Sequence, residues 1–301
     1  MLKYFIPFWL LAVSQMAFGQ ANKTLIPFQL TSFNNISVKA ILNEIDTVQL
    51  MFHTAANAVT LTEAATKNLK SLSFDKSIDG VESWGGLSNN VRLSQHNTLK
   101  IENLSWKEVK ITENKHSGQF TDGKFGIDLF KDKVMQIDFD KKIIVISDNL
   151  PKKLKKYSKL KLIYENEMMF VAANCEVEAG SNGVSNKFLL HSGYGGSILL
   201  DDQFANEHKL NEKLKIIDEK DLKDSYGNVL KTKKAILPAF KIGDFVLSDI
   251  SVGFFPGAIG RQKMSSMGGD VLKRFNWIID AKREYIYLKP NKNFQMPYSK
   301  V

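Results

Sequence analysis

One cysteine in 301 residues, Cys175, leaves no partner for an intramolecular disulfide. Stability has to come from packing, which a chain of this length supplies. Cys175 stands in an extended-looking segment, Phe170 to Val177, with nothing beside it to activate a thiolate, so it reads as a small buried filler. Long apolar runs are also missing. The leading one, Phe5 to Val13, is shorter than the ~20 residues that span a bilayer, which argues against a stable membrane anchor. It follows Lys3 and precedes Ala17-Phe18-Gly19, small residues spaced for a cleavage site. Residues 1–20 therefore read as a secretory signal peptide, cut after about Gly19 or Gln20. No cysteine adjoins the cut to carry a lipid, so the mature chain is expected to be exported, to the periplasm or the extracellular space.

Nucleic-acid signals are absent as well. The net charge is +9, one less once Lys3 leaves, but the lysines are dispersed and not interleaved with aromatics. One cluster, Lys152, Lys153, Lys155, Lys156, Lys159 and Lys161, follows Pro151; it reads as a solvated connection rather than a docking surface for an anionic partner. Histidine is scarce, at positions 53, 96, 116, 191 and 208 only.

Two of those five histidines sit in a repeated stretch. Leu50-Met51-Phe52-His53-Thr54-Ala55-Ala56-Asn57 is answered by Phe188-Leu189-Leu190-His191-Ser192-Gly193-Tyr194-Gly195. Each is an apolar run suited to a buried strand, then His, a hydroxyl residue and a small residue at a turn. Two later blocks repeat in the same order. Gly126-Ile127-Asp128-Leu129-Phe130-Lys131 matches Gly268-Gly269-Asp270-Val271-Leu272-Lys273, and Ile137-Asp138 matches Ile279-Asp280 before a closing strand. The offset is 138 residues at the histidines and 142 at both later blocks, which indicates a duplicated lobe.

Along the chain, Asn43 to Asp46 reads as the turn of an antiparallel pair, which makes Asp46-Thr47 structural. Thr62 to Leu69 reads as a short helix with Thr62 as its N-cap. Ser83-Trp84-Gly85-Gly86-Leu87-Ser88 is either a mobile hairpin presenting Trp84 over a cleft, hence a flap candidate, or a buried Trp beside a bulge. Asp128 and Asp270 read as helix N-caps, and Asp138 and Asp280 as turn residues. His116 lies in a loop-like stretch. The chain divides into the signal peptide, an N-terminal lobe over 21–150, a lysine-rich connection over 151–164 and a C-terminal lobe over 165–301. The fold expected is all-β, with two pseudo-symmetric lobes and a cleft between them.

This layout resembles the bilobal pepsin-like, retropepsin-related aspartic proteases, in their bacterial secreted branch. In that family each lobe is β-barrel-like and carries an apolar strand ending in Asp-Thr/Ser-Gly. An apolar-apolar-Gly element, a short helix and a closing hairpin follow. Phe52-His53-Thr54-Ala55 and Leu190-His191-Ser192-Gly193 stand at the two catalytic places, and Lys124-Phe125-Gly126 and Ser266-Met267-Gly268 at the later element. The resemblance implies that Thr54 and Ser192 tie the two loops together, with Ala55 and Gly193 beside them. It also implies that both catalytic aspartates are histidine here.

The family's reaction needs two carboxylates sharing one proton, one acting as base on a water while the other polarises the carbonyl. Two imidazoles cannot reproduce that, so conventional aspartic protease activity is not expected. Three uses of the pair stay open: a pseudo-protease whose cleft binds a peptide or other extended ligand, a metal site on His53 and His191, or a hydrolase with one imidazole as base. The same uncommon residue at both places suggests a use for the pair, or duplication of a lobe that already carried it. No third metal ligand is evident from spacing, and no cofactor is implied.

Overall fold

A computed structural model describes residues 23–83, 86–223, 229–256 and 262–299 of the chain. The expected signal peptide and the tip residues Trp84 and Gly85 lie outside the described residues.

The first half lays down β1 (Thr24–Pro27), β2 (Gln29–Leu30), β3 (Ile36–Leu42), β4 (Asp46–Phe52), β5 (Val59–Thr62) and α1 (Glu63–Thr66). It continues with β6 (Lys76–Ile78), β7 (Val81–Ser83), β8 (Gly86–Ser88), β9 (Val91–Ile101), β10 (Leu104–Asn114) and β11 (Gly123–Phe125). A 3-10 turn over Ile127–Phe130 leads to β12 (Val134–Asp138) and β13 (Ile143–Ser147). The second half gives β14 (Ser158–Lys161), β15 (Ile163–Glu165), β16 (Met168–Glu176), β17 (Val184–His191) and β18 (Ile198–Leu199). After α2 (Asp202–Glu207) and α3 (Leu210–Lys213) come β19 (Ile216–Lys223), β20 (Val229–Ile242), β21 (Phe245–Phe254), β22 (Ser265–Gly268), α4 (Gly269–Leu272), β23 (Phe275–Ile279) and β24 (Tyr285–Pro290).

The duplication is visible strand for strand. In the first lobe β3, β4, β11, β5, β10 and β9 pair in that order, and β9 closes on β3 through Ile41–Lys100 and Leu42–Leu99. In the second, β16, β17, β22, β18, β21 and β20 follow the same order, and β20 closes on β16 through Cys175–Phe240 and its neighbours. Each lobe is thus a closed six-stranded barrel, extended in its sheet by two flanking strands, β2 and β6 in the first lobe and β15 and β19 in the second. A third sheet, β1-β13-β12-β23-β24-β14, joins them symmetrically, with β12 and β23 antiparallel at its centre through Gln136–Ile278.

Burial follows the pleat. On β3, Val38, Ala40 and Leu42 are buried while Lys39 is exposed. One apolar core runs continuously through both lobes. Under the His53 turn it is aromatic: Phe52, Phe125 and Phe130 lie with ring centroids 5.4 to 6.1 Å apart. Truncating Phe52 there costs ~3–5 kcal/mol. Cys175 is fully buried, and burial pushes its thiol up to about 12, in keeping with a filler.

Three expectations change in detail. The helix after the first turn has only four residues, although Thr62 does cap it by accepting the Ala65 N–H at 3.1 Å. The lysine-rich connection is not merely solvated, because it contains β14, the edge strand against β24. There the Lys159 ammonium lies 3.5 Å from the Tyr285 ring centroid and Leu162 is buried. Asp128 and Asp270 are not N-caps. The glycine two places earlier takes that position in each lobe, and each aspartate lies inside the first turn. Asp138 and Asp280 do bind turns, accepting from the N–H groups of Lys141 and of Glu284 and Tyr285. Asp46 opens β4 and accepts from Lys70 and Ser71, a structural tie from the strand start to the segment after α1. No helix among the described residues is long and apolar enough to cross a membrane.

Candidate functional site

β4 and β17 occupy the same place in their barrels, and each delivers its histidine where the strand ends. The turn after β4 is closed by the Ala56 N–H to the His53 carbonyl at 3.1 Å, and that after β17 by the Tyr194 N–H to the His191 carbonyl at 3.0 Å. The later glycine element presses against each turn. A Cβ on Gly126 would overlap the Ala56 carbonyl, and one on Gly268 the carbonyls of Gly196 and Tyr194. Only glycine lets the two backbones approach this closely.

The junction between the lobes is built from hydroxyls. Thr54 donates to the Leu190 carbonyl (2.5 Å) and accepts from the Ser192 N–H (2.9 Å); Ser192 donates to the Phe52 carbonyl (2.6 Å) and accepts from the Thr54 N–H (2.9 Å). Both side chains are buried. Asn34 and Asn35, before β3, add donors to the Gly195 and Ser192 carbonyls at 2.7 Å each.

On this frame the two imidazoles meet, with ring centroids 4.7 Å apart and planes inclined by 56°. Each ring is held by its own loop. Nδ1 of His53 accepts the Ala55 N–H at 3.2 Å, and Nδ1 of His191 accepts the Tyr194 N–H at 2.9 Å. A nitrogen that accepts a backbone N–H carries no proton, so each neutral ring holds its hydrogen on Nε2. His53 is buried, and a Cβ on Gly193 of the opposite loop would overlap its Cδ2 and Nε2. His191 is only partly covered, with the Tyr194 ring edge-on to it at 6.4 Å.

Electrostatics favour the neutral forms. Burial, then the charge of His191 and of Lys124, holds His53 well below its ordinary value. Burial brings His191 down to about 4, opposed by the ring's contact with its own backbone carbonyl and aided by Lys124. Lys124 itself is pushed down to about 8 by burial. Lys124 belongs to the glycine element but does not stand out in the sequence as a site residue. Its signal is positional: β11 pairs it with Met51 of β4, two residues before His53, where the other lobe has Ser266 against Leu189. Asn34, Asn35 and Tyr194 are likewise legible only once the lobes are docked.

The structure thus brings His53, Thr54, Ala55, Ser192 and Gly193 together and leaves His116 exposed in a loop. β7 and β8 pair antiparallel, with Ser83 opposite Gly86, while Trp84 and Gly85 of the flap candidate lie outside the described residues. Among the described residues no group of three His, Cys, Asp or Glu side chains is placed to hold a metal. Chemically, the site offers two Nε2–H donors and an ammonium.

No family profile matches the sequence, and no curated protein matches it. Solved structures do. The aspartic proteinase from Irpex lacteus superposes with a TM-score of 0.62 at 11% identity, over 92% of this chain and 100% of that one. At that identity the likeness concerns fold alone. The chain is a mostly β, two-barrel structure with the bilobal architecture of the pepsin-like aspartic proteinases.

Proposed function

We propose that this chain is an exported, aspartic-proteinase-like protein that lacks the acid dyad and binds a peptide-like or other extended ligand in the cleft between its lobes. The observation that carries this reading is the His53–His191 pair, 4.7 Å apart at the converging strand ends, each ring fixed with its proton on Nε2. The frame that positions two groups across the cleft is intact, while the groups are neutral donors in place of two carboxylates sharing a proton. An imidazole with a pKa of about 4 is a weak base toward water at neutral pH, which disfavours hydrolysis by His191. With both Nδ1 atoms occupied, the pair has two nitrogens for a metal, fewer than the usual three protein ligands, and Lys124 sits beside them. The support for export is the signal-peptide pattern in the sequence of residues 1–20.

The test is incubation of the purified mature chain with a mixed library of extended peptides. Retention without turnover is expected, along with less than stoichiometric zinc on chelator-free protein. Cleavage that pepstatin-type inhibitors block, or zinc lost in His53→Ala and His191→Ala, would overturn the proposal.

A further inference from the structure

Register partners in neighbouring strands project to one face of the sheet, as do residues two apart along a strand. Lys124 pairs with Met51, and Met51 is two before His53, so the Lys124 side chain emerges on the face that carries His53. Its charge is among the influences that hold both imidazoles low, in keeping with a lysine on that face. Burial lowers Lys124, and among the described residues no carboxylate forms an ion pair with it. A partly covered ammonium without a counterion is costly, and here it adjoins two imidazoles whose Nε2–H groups no described side chain accepts. The cluster is made of donors only.

Resting on the ligand-binding reading above, we infer that the centre of the cleft holds a carboxylate of the extended ligand, on Lys124 Nζ and the Nε2–H groups of His53 and His191. A carboxylate has two oxygens and about four acceptor sites, matching three donors of which one is charged. The carboxylate comes from an acidic side chain or from a peptide C-terminus.

Four immobilised pools of N-acetylated octapeptides test this. One contains no acidic residue and ends in an amide, one keeps the free C-terminus, one carries a single Glu, and one carries Gln in its place. Retention on a carboxylate-bearing pool is expected to be at least tenfold tighter than on the neutral ones. That advantage should vanish in Lys124→Met and persist in Lys124→Arg. Whether the Glu pool or the free-acid pool gains identifies the source. Equal retention of all four pools removes the carboxylate site and leaves the cleft reading standing, and an advantage unchanged in Lys124→Met removes Lys124 from it. An independent arm titrates acetate against 15N-histidine-labelled protein. Shifts of both Nε2 resonances, at least tenfold weaker in Lys124→Met with Nδ1 signals unmoved, support the site even if no peptide binds, in which case the ligand reading alone falls. No response of wild-type imidazoles to acetate overturns the inference.

Discussion

Thr54 and Ser192, 138 residues apart, exchange hydrogen bonds across the lobe boundary. Each hydroxyl accepts the other's backbone N–H at 2.9 Å and donates to the carbonyl just before the other lobe's histidine. Four buried bonds therefore fix the distance between the two strand ends, whatever those ends carry. The frame's function is positional, which is why it stands intact around two imidazoles.

Removing the Thr54 hydroxyl orphans the Ser192 N–H and the Leu190 carbonyl in a site with no solvent access. Thr54→Ala should cost about 2–4 kcal/mol in urea denaturation. Thr54→Ser, which keeps the oxygen, should recover most of it. An alanine variant within 0.5 kcal/mol of wild type would show that the junction contributes nothing to stability.

Gly193 lies against the edge of the His53 ring, so a methyl there meets Cδ2 and Nε2. Gly193→Ala is expected to destabilise by ~1–3 kcal/mol through overpacking. In a His53→Ala background the same change should be nearly neutral. That non-additivity is the readout. The first lobe has Ala55 at the matching place, so the two loops are not sterically interchangeable.

The fold was legible because the duplication is written in blocks of strand and turn. Apolar runs of Leu50–Phe52 and Phe188–Leu190 need burial, and Gly126 and Gly268 need a close backbone approach, so the repeat survives as a pattern. Lys124 was not legible, because a lysine in a strand reads as a solvated side chain until β11 is known to lie between β4 and β5. Asn34 was hidden for the same reason: its partner Gly195 is 161 residues away. The aspartates of the later blocks misled, since an Asp closely following a glycine and leading into an apolar run looks like a cap. The backbone instead begins the helix at the glycine, and the two carboxylates diverge, Asp128 exposed and Asp270 buried.

That divergence makes a paired test. Asp270 faces Lys273 at 2.7 Å and Arg274 at 3.6 Å, and accepts from Ser197 and the Ser299 N–H. Burial alone would push its pKa up; Lys273, Ser299 and Arg274 outweigh it and hold the carboxyl below the usual range. Asp270→Asn strands buried cations and should cost about 3–5 kcal/mol. Asp128→Asn, at the same place in the other lobe but exposed, should fall within about 0.5 kcal/mol of wild type. Equal effects from the two substitutions would mean that the Asp270 cluster is not a stabilising network.

The histidine pair separates two windows of acid loss. His53 and His191 are held below their ordinary pKa by burial first, His191 at about 4. Between pH 6.5 and 4 the unfolded chain therefore binds protons that the folded chain refuses. Stability rises with pH wherever the unfolded state binds more protons, so it must fall as the pH drops through this window, by on the order of 3 kcal/mol for His191 alone. Asp270 and Asp46, both held below the carboxylate norm, contribute stability that is lost only at lower pH. Urea midpoints at pH 7, 6 and 5 should thus decline in wild type above the range in which Asp270 and Asp46 lose their contribution, and His191→Gln should flatten that decline while leaving the further loss measured between pH 4 and 2. Imidazole 15N shifts supply the direct check: both rings should stay neutral, with the proton on Nε2, at pH 5. Protonation of either ring near 6.5 would remove the neutral-donor description of the pair, and with it the reason to doubt base chemistry at this site.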